Sequence, residues 1–283
     1  MPSSAAMAAT RRARLRSYRG VRAFVTGASS GIGRALALRL AREGARVALV
    51  ARREALLREL GAEIAAAGGQ AEAFPADLGD REQALAVAAA AASAFGGIDL
   101  LVNNAGYGHR RPFLDWPLDD MERVMRVNYV GTLAVTKALL PQMVSRGRGW
   151  IVFVASVAGK IASPEESAYV ASKFALVGLA GSLSLEVEGA GVHVLTVCPG
   201  VIRTPFFDAE SLARMPAVSR RQMVEVDGLV DSILDALARG RRELTYPRWI
   251  APSYAIQAVA PGLMRWGVRR STQGASARER TRR

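Results

Sequence analysis

Residues 26–33 read TGASSGIG (Thr26-Gly27-Ala28-Ser29-Ser30-Gly31-Ile32-Gly33), between a short apolar run and a helical pattern over residues 34–43. Glycines in such a turn allow a tight bend and a close approach of the backbone to a pyrophosphate, which then lies at the positive end of the helix dipole. The spacing is G-x-x-x-G-x-G rather than the more common G-x-G-x-x-G. Because the turn opens the first strand–helix unit of an alternating chain, it predicts a dinucleotide site.

The rest of the chain repeats this alternation. Seven apolar runs are visible: VRAFVTG, ARVALVA, QAEAFPAD, IDLLVNN, GWIVFVAS, VHVLTVCP and the weaker RELTYP. Helical patterns cover residues 34–43, 53–67, 80–95, 118–145, 167–188 and 222–239. Short strands buried on both faces and separated by helices indicate a parallel sheet covered by helices on each side. We therefore predict one Rossmann-type α/β domain over residues 21–248, with a doubly wound parallel sheet of about seven strands.

The formal net charge of +13 is concentrated at the two ends of the chain. Residues 1–22 contain six Arg and no acid, and residues 265–283 contain seven Arg and one Glu, which leaves +1 for the residues between them. This distribution predicts solvated basic segments rather than a nucleic-acid-binding domain, with attachment to anionic lipid or nucleic acid as the alternative. We predict a basic, disordered arm over 1–20 and an apolar, aromatic extension with an Arg-rich tail over 249–283.

Other features of the composition exclude some functions and bear on location. The single cysteine, Cys198, lies in an apolar run and predicts a buried, inert thiol. The chain has only two histidines, His109 and His193, so we predict no metal site. The same scarcity of histidine disfavours a Ser-His-Asp hydrolase. No apolar run of the about 18–20 residues that span a bilayer is visible, and the first residues lack the apolar segment of a secretory signal. We expect a cytoplasmic protein, with peripheral membrane attachment through residues 249–283 as an open alternative.

The end of the second strand bears on the choice of cofactor. NAD sites usually carry Asp or Glu at this point to accept from the ribose 2′-hydroxyl. Here the strand ends in Ala51-Arg52-Arg53, and the first carboxylate, Glu54, lies inside the next helix. Arg guanidinium groups suit a 2′-phosphate through paired, charged hydrogen bonds. Arg52 and Arg53 therefore predict NADP(H) as the cofactor, although either one alone would pass for an ordinary surface charge.

A serine, a tyrosine and a lysine follow the fifth strand in a spacing suited to acid–base chemistry. Ser156 ends the strand, Tyr169 opens a helix, and Lys173 lies one turn further on the same helix face. A nearby ammonium favours the phenolate and is expected to lower the pKa of Tyr169, while Ser156 can hold a substrate oxygen. The chain has 35 Arg and only three Lys, so a lysine at this position points to a need for a compact ammonium.

Together these motifs resemble the short-chain dehydrogenase/reductase family. They are TGASSGIG (26–33), Asp77, NNAG (103–106), Asn128, Ser156, YVASK (169–173) and PGVIRT (199–204), in the family's order over nearly all of residues 21–248. The resemblance implies hydride transfer between a nicotinamide cofactor and the carbonyl or alcohol carbon of a small molecule. It also implies a homodimer or homotetramer held together by the long helices at 118–145 and 167–188.

The resemblance further implies which residues form the site. The catalytic tetrad would be Asn128, Ser156, Tyr169 and Lys173, in which Asn128 shapes the active-site helix and its water and Lys173 holds the nicotinamide ribose. The cofactor-binding residues, with the two arginines above, would be Gly27, Ser29, Ser30, Gly31, Ile32, Gly33, Arg52, Arg53, Asp77, Leu78, Asn104, Ala105, Gly106, Tyr169, Lys173, Pro199, Gly200, Ile202 and Thr204.

The sequence says less about the substrate. Apolar residues of the loop at 205–224 and of the opposite side of the cleft predict an apolar pocket for a ketone, aldehyde, steroid-like or acyl-chain substrate: Phe206, Phe207, Leu212, Met215, Met223, Tyr107, Phe113 and Trp116. Packing in a core or an interface is the open alternative for several of them. Arg203 and Arg214 either meet an acidic substrate or face solvent. A catalytically silent NADPH-binding sensor or scaffold stays open as a second class of function.

Overall fold

Seven parallel strands form one sheet in the computed structural model, which describes residues 14–280 and their side chains as far as residue 272. The strands are β1 (Arg22–Thr26), β2 (Arg46–Ala51), β3 (Gln70–Pro75), β4 (Leu100–Asn103), β5 (Gly149–Val154), β6 (Val192–Pro199) and β7 (Glu243–Tyr246). They pair in the order β3-β2-β1-β4-β5-β6-β7, and every neighbouring pair is parallel. The predicted doubly wound parallel sheet is confirmed.

Helices cover both faces of the sheet. One face carries α1 (Gly31–Arg42), α2 (Glu54–Ala66) and α9 (Val226–Arg239), and the other carries α3 (Arg81–Phe95), α5 (Thr132–Ser145) and α6 (Ser167–Glu186). The remaining helices are α4 (Leu118–Met125), α7 (Ala209–Arg214), α8 (Ala217–Arg221), α10 (Pro252–Val259) and α11 (Pro261–Arg280). The pattern predicted as one helix over 118–145 contains a π-helical segment, Arg126–Gly131, between α4 and α5.

The core consists of one apolar cluster on each side of the sheet. Successive strand residues alternate between the two, so that Val25 and Leu49 join one cluster while Phe24 and Val50 join the other. Every residue of β4, β5 and β6 is buried. Burial on both faces explains why these strands read as unbroken apolar runs rather than as alternating patterns.

The first described residues pack on the domain. Residues 14–20 fall in the predicted disordered arm, yet Leu15 and Tyr18 are buried in the core cluster, and the Leu15 N–H donates to the Leu237 carbonyl at 3.1 Å. This part of the prediction was wrong because two apolar residues set among arginines show no periodicity. The prediction for residues 1–13 lies outside the described residues.

The extension from residue 249 folds into two helices beside the carboxyl edge of the sheet. After a short 3₁₀ turn at Arg248–Ile250, α10 is held to β7 by a hydrogen bond from Thr245 Oγ1 to the Tyr254 hydroxyl at 3.3 Å. The next helix, α11, contacts α8. The extension therefore packs on the body of the domain and reaches the loops at the ends of the strands.

One helix among the described residues is long and apolar enough to cross a membrane. This is α6, with 20 residues and a mean hydropathy of 1.4. It does not read as an unbroken apolar run in the sequence because Ser172 and Lys173 interrupt it. Leu176, Ala180 and Leu183 of α6 are buried in the core cluster against the sheet. Its contacts are those of a core helix of the domain.

Candidate active site

A cleft opens at the carboxyl ends of the strands. It has a volume of about 620 Å³ and runs from the turn between β1 and α1, past the ends of β4, β5 and β6, to α11. The strand order reverses between β1 and β4, so the chain connections diverge at this point. In open α/β sheets, such a crevice at a switch point is where ligands bind.

The glycine loop has the backbone that its sequence requires. Gly27 and Gly31 adopt φ values of +67° and +55°, in the left-handed region that favours glycine. Ser30 is the N-cap of α1 but makes no cap hydrogen bond with its side chain. The first N–H groups of the helix therefore lack a side-chain partner, as in a helix N-terminus that binds an anion.

Gly33, which was predicted to bind the cofactor, has a packing role in the structure. It does not line the cleft, and a Cβ at this position would lie 2.4 Å from the Gly27 carbonyl oxygen and 2.5 Å from Asn104 Nδ2. Asn104 Nδ2 also donates to the Thr26 carbonyl at 2.9 Å. Gly33 thus allows the first turn of α1 to close on the loop and on the end of β4.

We expect Gly33→Ala to destabilise the protein by about 1–3 kcal/mol, because the neighbours of the new methyl group are backbone and a hydrogen-bonded amide. Gly61→Ala in α2 is the matched control, since nothing lies within 4 Å of its Cβ position. The control should be stabilised by about 0.5–1 kcal/mol through helix propensity. Urea unfolding measures both free energies. Equal stability of the Gly33→Ala variant and the unmodified chain would show that the loop relaxes freely.

Basic side chains border the end of the cleft next to β2. Arg53 Nη2 donates to Ser29 Oγ at 2.9 Å and to Ser30 Oγ at 3.0 Å, which holds the guanidinium over the glycine loop. Within residues 14–272, Arg52 makes no hydrogen bond or ion pair. Burial raises the pKa of Asp77, but hydrogen bonds from the Gly79 N–H and Arg123 and the charge of Arg52 bring it below its ordinary value. Asp77 is thus a carboxylate at the cleft.

Lys173 is buried at the bottom of the cleft. The residue is only 3% exposed, and its Nζ donates to the Val154 carbonyl, at the end of β5, at 3.0 Å. Nζ also lies 5.5 Å from the centre of the Tyr169 ring. Burial lowers the pKa of Lys173 to about 8, so that near neutral pH it is close to losing its proton.

The expectation of a lowered tyrosine pKa was wrong for the protein without a bound cofactor. Burial raises the pKa of Tyr169 well above its ordinary value, and a hydrogen bond with Ser156 offsets only part of this effect. The low dielectric of the cleft disfavours the phenolate for the same reason that it disfavours the ammonium of Lys173. The structure therefore contains a neutral phenol beside a lysine of weakened basicity.

Asn128 acts on the shape of the site from beneath it. It is fully buried in the π-helical segment and does not line the cleft. Asn128 Nδ2 donates to the Tyr107 carbonyl and to Ser172 Oγ, and Oδ1 accepts from the Tyr107 N–H, all at 2.9 Å. A Cβ at Gly106 would lie 3.1 Å from Asn128 Oδ1 and 3.4 Å from Lys173 Nζ. Asn128 thus joins the loop after β4 to α6 next to Lys173.

The cleft gathers nearly all of the predicted site residues. Gly33 and Asn128 are the two exceptions described above. The residues that line it are Gly27, Ser29, Ser30, Gly31, Ile32, Arg52, Arg53, Asp77, Leu78, Asn104, Ala105, Gly106, Ser156, Tyr169, Lys173, Pro199, Gly200, Ile202 and Thr204.

The aromatic wall beside Tyr169 is smaller than the sequence indicated. The ring of Phe206 lies 5.6 Å from that of Tyr169, and Phe207 stacks edge-on against Phe206 at 5.0 Å. Tyr107 and Met215 also line the cleft. Four of the residues predicted for the pocket do not: Phe113, Trp116, Leu212 and Met223. Trp116 instead packs in a small core cluster, and Phe113 is exposed. Arg203 and Arg214 form ion pairs with Glu225 and Glu210.

Sequence reasoning missed two parts of the cleft. Arg110 Nη2 donates to Glu166 Oε2 at 2.9 Å, and the two side chains are only 11% and 13% exposed. Both residues line the cleft, and Glu166 precedes Tyr169 by three residues in the sequence. The other part is the wall formed by Trp249 and by Val268, Ser271 and Thr272 of α11. In a chain so rich in arginine, neither Arg110 nor this part of α11 carries a distinguishing pattern.

A doubly wound sheet with a phosphate-binding turn and a Ser–Tyr–Lys group at its switch point defines the class of nicotinamide-dependent oxidoreductases. The family model described as short chain dehydrogenase matches residues 22–214. The chain belongs to the short-chain dehydrogenase family.

Relatives and solved structures agree with this membership. The chain is 41% identical over 196 residues to oxidoreductase UcpA of Salmonella typhimurium, which covers 69% of this chain and 73% of that protein. It is 36% identical over 253 residues to dehydrogenase/reductase SDR family member 7B of Mus musculus, covering 84% and 77%. A crystal structure of a short-chain dehydrogenase/reductase from Burkholderia phymatum in complex with NAD superposes with a TM-score of 0.78 at 26% identity, covering 88% of this chain and 96% of that one.

Proposed function

We propose that this protein transfers hydride between NADP(H) and the carbonyl or alcohol carbon of an apolar small molecule. The observation that carries the proposal is the grouping of Ser156, Tyr169 and Lys173 on one wall of the cleft. A phenol and a serine hydroxyl beside a buried lysine form an arrangement for moving a proton at a substrate oxygen. A sensor that only bound the cofactor would not need such a group.

The residues of the cleft suit a nicotinamide dinucleotide. The glycine loop lies at the N-terminus of α1, where a helix favours a pyrophosphate. A Cβ at Gly31 would lie 3.2 Å from Thr204 Cβ, so glycine here lets the loop after β6 approach the glycine loop. The cleft between them is continuous from Arg52 to Lys173 and has the volume of a typical cofactor site.

A nicotinamide dinucleotide held in the cleft would supply or accept the hydride, and the residues of the chain handle the proton. Tyr169 gives its phenolic proton to the substrate oxygen during reduction and takes it back during oxidation. Ser156 Oγ accepts the Ala158 N–H at 3.0 Å, which fixes the hydroxyl so that it can donate to the same oxygen. Phe206 and Phe207 provide an apolar wall for the rest of the substrate.

Lys173 makes this proton transfer feasible. Since burial raises the pKa of Tyr169, the phenolate left after transfer is unstable without a positive charge nearby. The Lys173 ammonium is in position to provide that charge, and Asn128 keeps the surrounding loop and α6 in place. Because the pKa of Lys173 is about 8, the charged form decreases as the pH rises through that value.

Arg52 and Arg53 support NADP(H) over NAD(H). Both border the cleft, no acid follows β2 before α2, and Arg53 is already oriented by Ser29 and Ser30. A 2′-phosphate would give the guanidinium of Arg52 a charged hydrogen-bond partner, since among residues 14–272 it makes no hydrogen bond or ion pair.

We expect the double variant Arg52→Asp/Arg53→Ser to raise the KM for NADPH by about 10–100-fold, the effect of losing one or two charged hydrogen bonds. The KM for NADH should stay level or fall. Arg58→Asp is the matched control, because Arg58 is exposed on α2 and pairs only with Glu54. Initial rates with both coenzymes measure the effect. A preference of the unmodified chain for NADH that Arg52→Asp does not change would overturn the NADP(H) assignment.

A homo-oligomer formed through α5 and α6 is part of the proposal. Exposed apolar side chains stand on these two helices: Leu133 and Val144 on α5, and Phe174 and Leu185 on α6. Such residues suit an interface between copies of the chain. Light scattering coupled to size exclusion should give a dimer or tetramer that Phe174→Asp/Leu185→Asp converts to monomer.

A panel of ketones, aldehydes and alcohols tests the proposed reaction directly. We expect NADPH consumption or formation with apolar members of the panel, followed by nicotinamide absorbance. Stoichiometric NADPH binding without turnover across the panel would instead favour the sensor or scaffold.

A further inference from the structure

The helices after β7 expose a set of large apolar side chains. Trp249, Ile256, Val259, Leu263 and Trp266 form this set, which we call the C-terminal apolar surface. Val259 is 86% exposed, and Trp249 and Trp266 are 56% and 58% exposed. Ile256 and Val259 lie on α10, Leu263 and Trp266 lie on α11, each pair is spaced by three residues, and the two helices are in contact. Exposed tryptophans next to aliphatic side chains mark a surface that binds something apolar.

The charged side chains of the segment that carries the C-terminal apolar surface are all positive. Arg248, Arg265, Arg269 and Arg270 lie within residues 248–272, which contain no acid. Among residues 14–272 none of the four pairs with a carboxylate, and the Arg270 guanidinium lies 5.3 Å from the Trp266 ring. Elsewhere on the protein, exposed arginines such as Arg58 and Arg239 pair with acids on their own helix. The surface is therefore complementary to a negatively charged partner.

The same segment forms one wall of the active-site cleft. Val268, Ser271 and Thr272 of α11 line the cleft, as do Trp249 and, on the loop before α8, Met215. On α11 the cleft-lining residues and the exposed residues Leu263, Trp266 and Arg269 lie on different sides of one helix. A partner bound to the C-terminal apolar surface would thus be adjacent to one end of the cleft.

We propose that the C-terminal apolar surface binds the anionic face of a lipid bilayer. Tryptophan and leucine side chains enter the boundary between headgroups and acyl chains, and the arginines meet the anionic headgroups. A second copy of the chain fits this surface less well, because a two-fold contact would bring arginine against arginine without a carboxylate. Resting on the proposed function, the inference also assigns the substrate to the class of lipid-soluble carbonyl compounds, which reach the cleft from the bilayer beside α11.

Co-sedimentation of the full-length protein with vesicles tests the electrostatic part. We expect binding to phosphatidylcholine vesicles that contain phosphatidylglycerol, and much weaker binding to phosphatidylcholine alone, at about 0.15 M salt. Arg265→Gln/Arg269→Gln should weaken binding by about fivefold per arginine. Arg58→Gln/Arg239→Gln removes the same charge elsewhere and should have a much smaller effect. Absence of vesicle binding, or equal weakening by the two pairs, would overturn the proposal.

Quenching of tryptophan fluorescence by brominated lipids tests insertion. Trp116 and Trp150 are buried in the protein, whereas Trp249 and Trp266 are exposed. We expect quenching in the unmodified chain, and binding without quenching in Trp249→Phe/Trp266→Phe. Quenching that survives in this variant would contradict insertion at the C-terminal apolar surface.

A third variant separates this surface from the basic segments at the two ends. We expect Leu263→Asp/Trp266→Asp to lose binding, while Leu85→Asp on α3, which is also exposed, keeps it. Undiminished vesicle binding by Leu263→Asp/Trp266→Asp would show that the terminal arginines suffice for binding. If instead the unmodified chain does not bind vesicles but self-associates, and this variant loses the self-association, the surface is a contact between copies of the chain. Both outcomes overturn the proposal. These measurements need no turnover, so their failure is distinct from failure of the proposed function.

Discussion

Tyr169→Phe should lower kcat by about 10²–10⁴-fold, the usual contribution of a positioned acid. The affinity for NADPH should stay nearly unchanged, because the substitution removes one oxygen and leaves the ring packed beside Phe206 and Lys173. Single-turnover measurements of hydride transfer, together with NADPH titration by fluorescence, separate the two effects.

Tyr107→Phe is the matched control for this variant. Tyr107 also lines the cleft, and burial likewise raises the pKa of its phenol. Its hydroxyl has no part in the proposed proton transfer, so kcat should stay close to that of the unmodified chain. If Tyr169→Phe kept its turnover while Tyr107→Phe lost it, the proton donor would be misassigned.

Lys173→Met should abolish most of the turnover and at the same time stabilise the fold. The pKa of Lys173 in the folded protein is about 8, below its ordinary value of 10.5, so the folded state binds fewer protons than the unfolded chain between these values. The charged lysine therefore costs stability below pH 8, and this cost disappears as the pH rises from 8 towards 10.5. We expect Lys173→Met to raise the free energy of unfolding near neutral pH by about 1–3 kcal/mol.

Urea unfolding at several pH values checks this prediction. The gain from Lys173→Met should be largest near neutral pH and should shrink on the alkaline side, in step with the titration of Lys173. Lys137→Met on the exposed side of α5 is the control and should change stability little at either pH. A variant less stable than the unmodified chain at neutral pH would mean that the hydrogen bond to Val154 outweighs the cost of burying the charge.

Most of the fold could be predicted because burial on both faces makes the central strands of this sheet largely continuous apolar runs, whereas the edge strands β3 and β7 are partly exposed. The seven runs correspond to seven strands, and the glycine loop located the first of them. What escaped prediction has no periodic signal. Leu15 and Tyr18 are anchored by contacts with distant parts of the chain, and the π-helical segment at 126–131 lies inside a stretch that the sequence pattern predicts as one continuous helix.

The site could be predicted as a group of residues, but not as a set of roles. Order along the chain brought Ser156, Tyr169 and Lys173 to one cleft, since the carboxyl ends of parallel strands share an edge. That Gly33 serves packing, or that Asn128 joins the loop after β4 to α6, depends on distances between elements far apart in sequence. The direction of the Tyr169 pKa likewise follows from burial, which only the packed structure supplies.

The wall of the cleft formed by residues 249–272 follows the last strand and lies beyond the match to the family at 22–214. Its loss or replacement would leave the strand order and the proton-transferring group intact. In the proposed function, one part of the wall that faces the substrate is therefore carried by a stretch of chain separate from the one that carries the hydride chemistry, while Phe206 and Phe207 belong to the latter stretch. Evolution could exchange the first without rebuilding the second, and a protein engineer could graft new tail helices onto the same catalytic body.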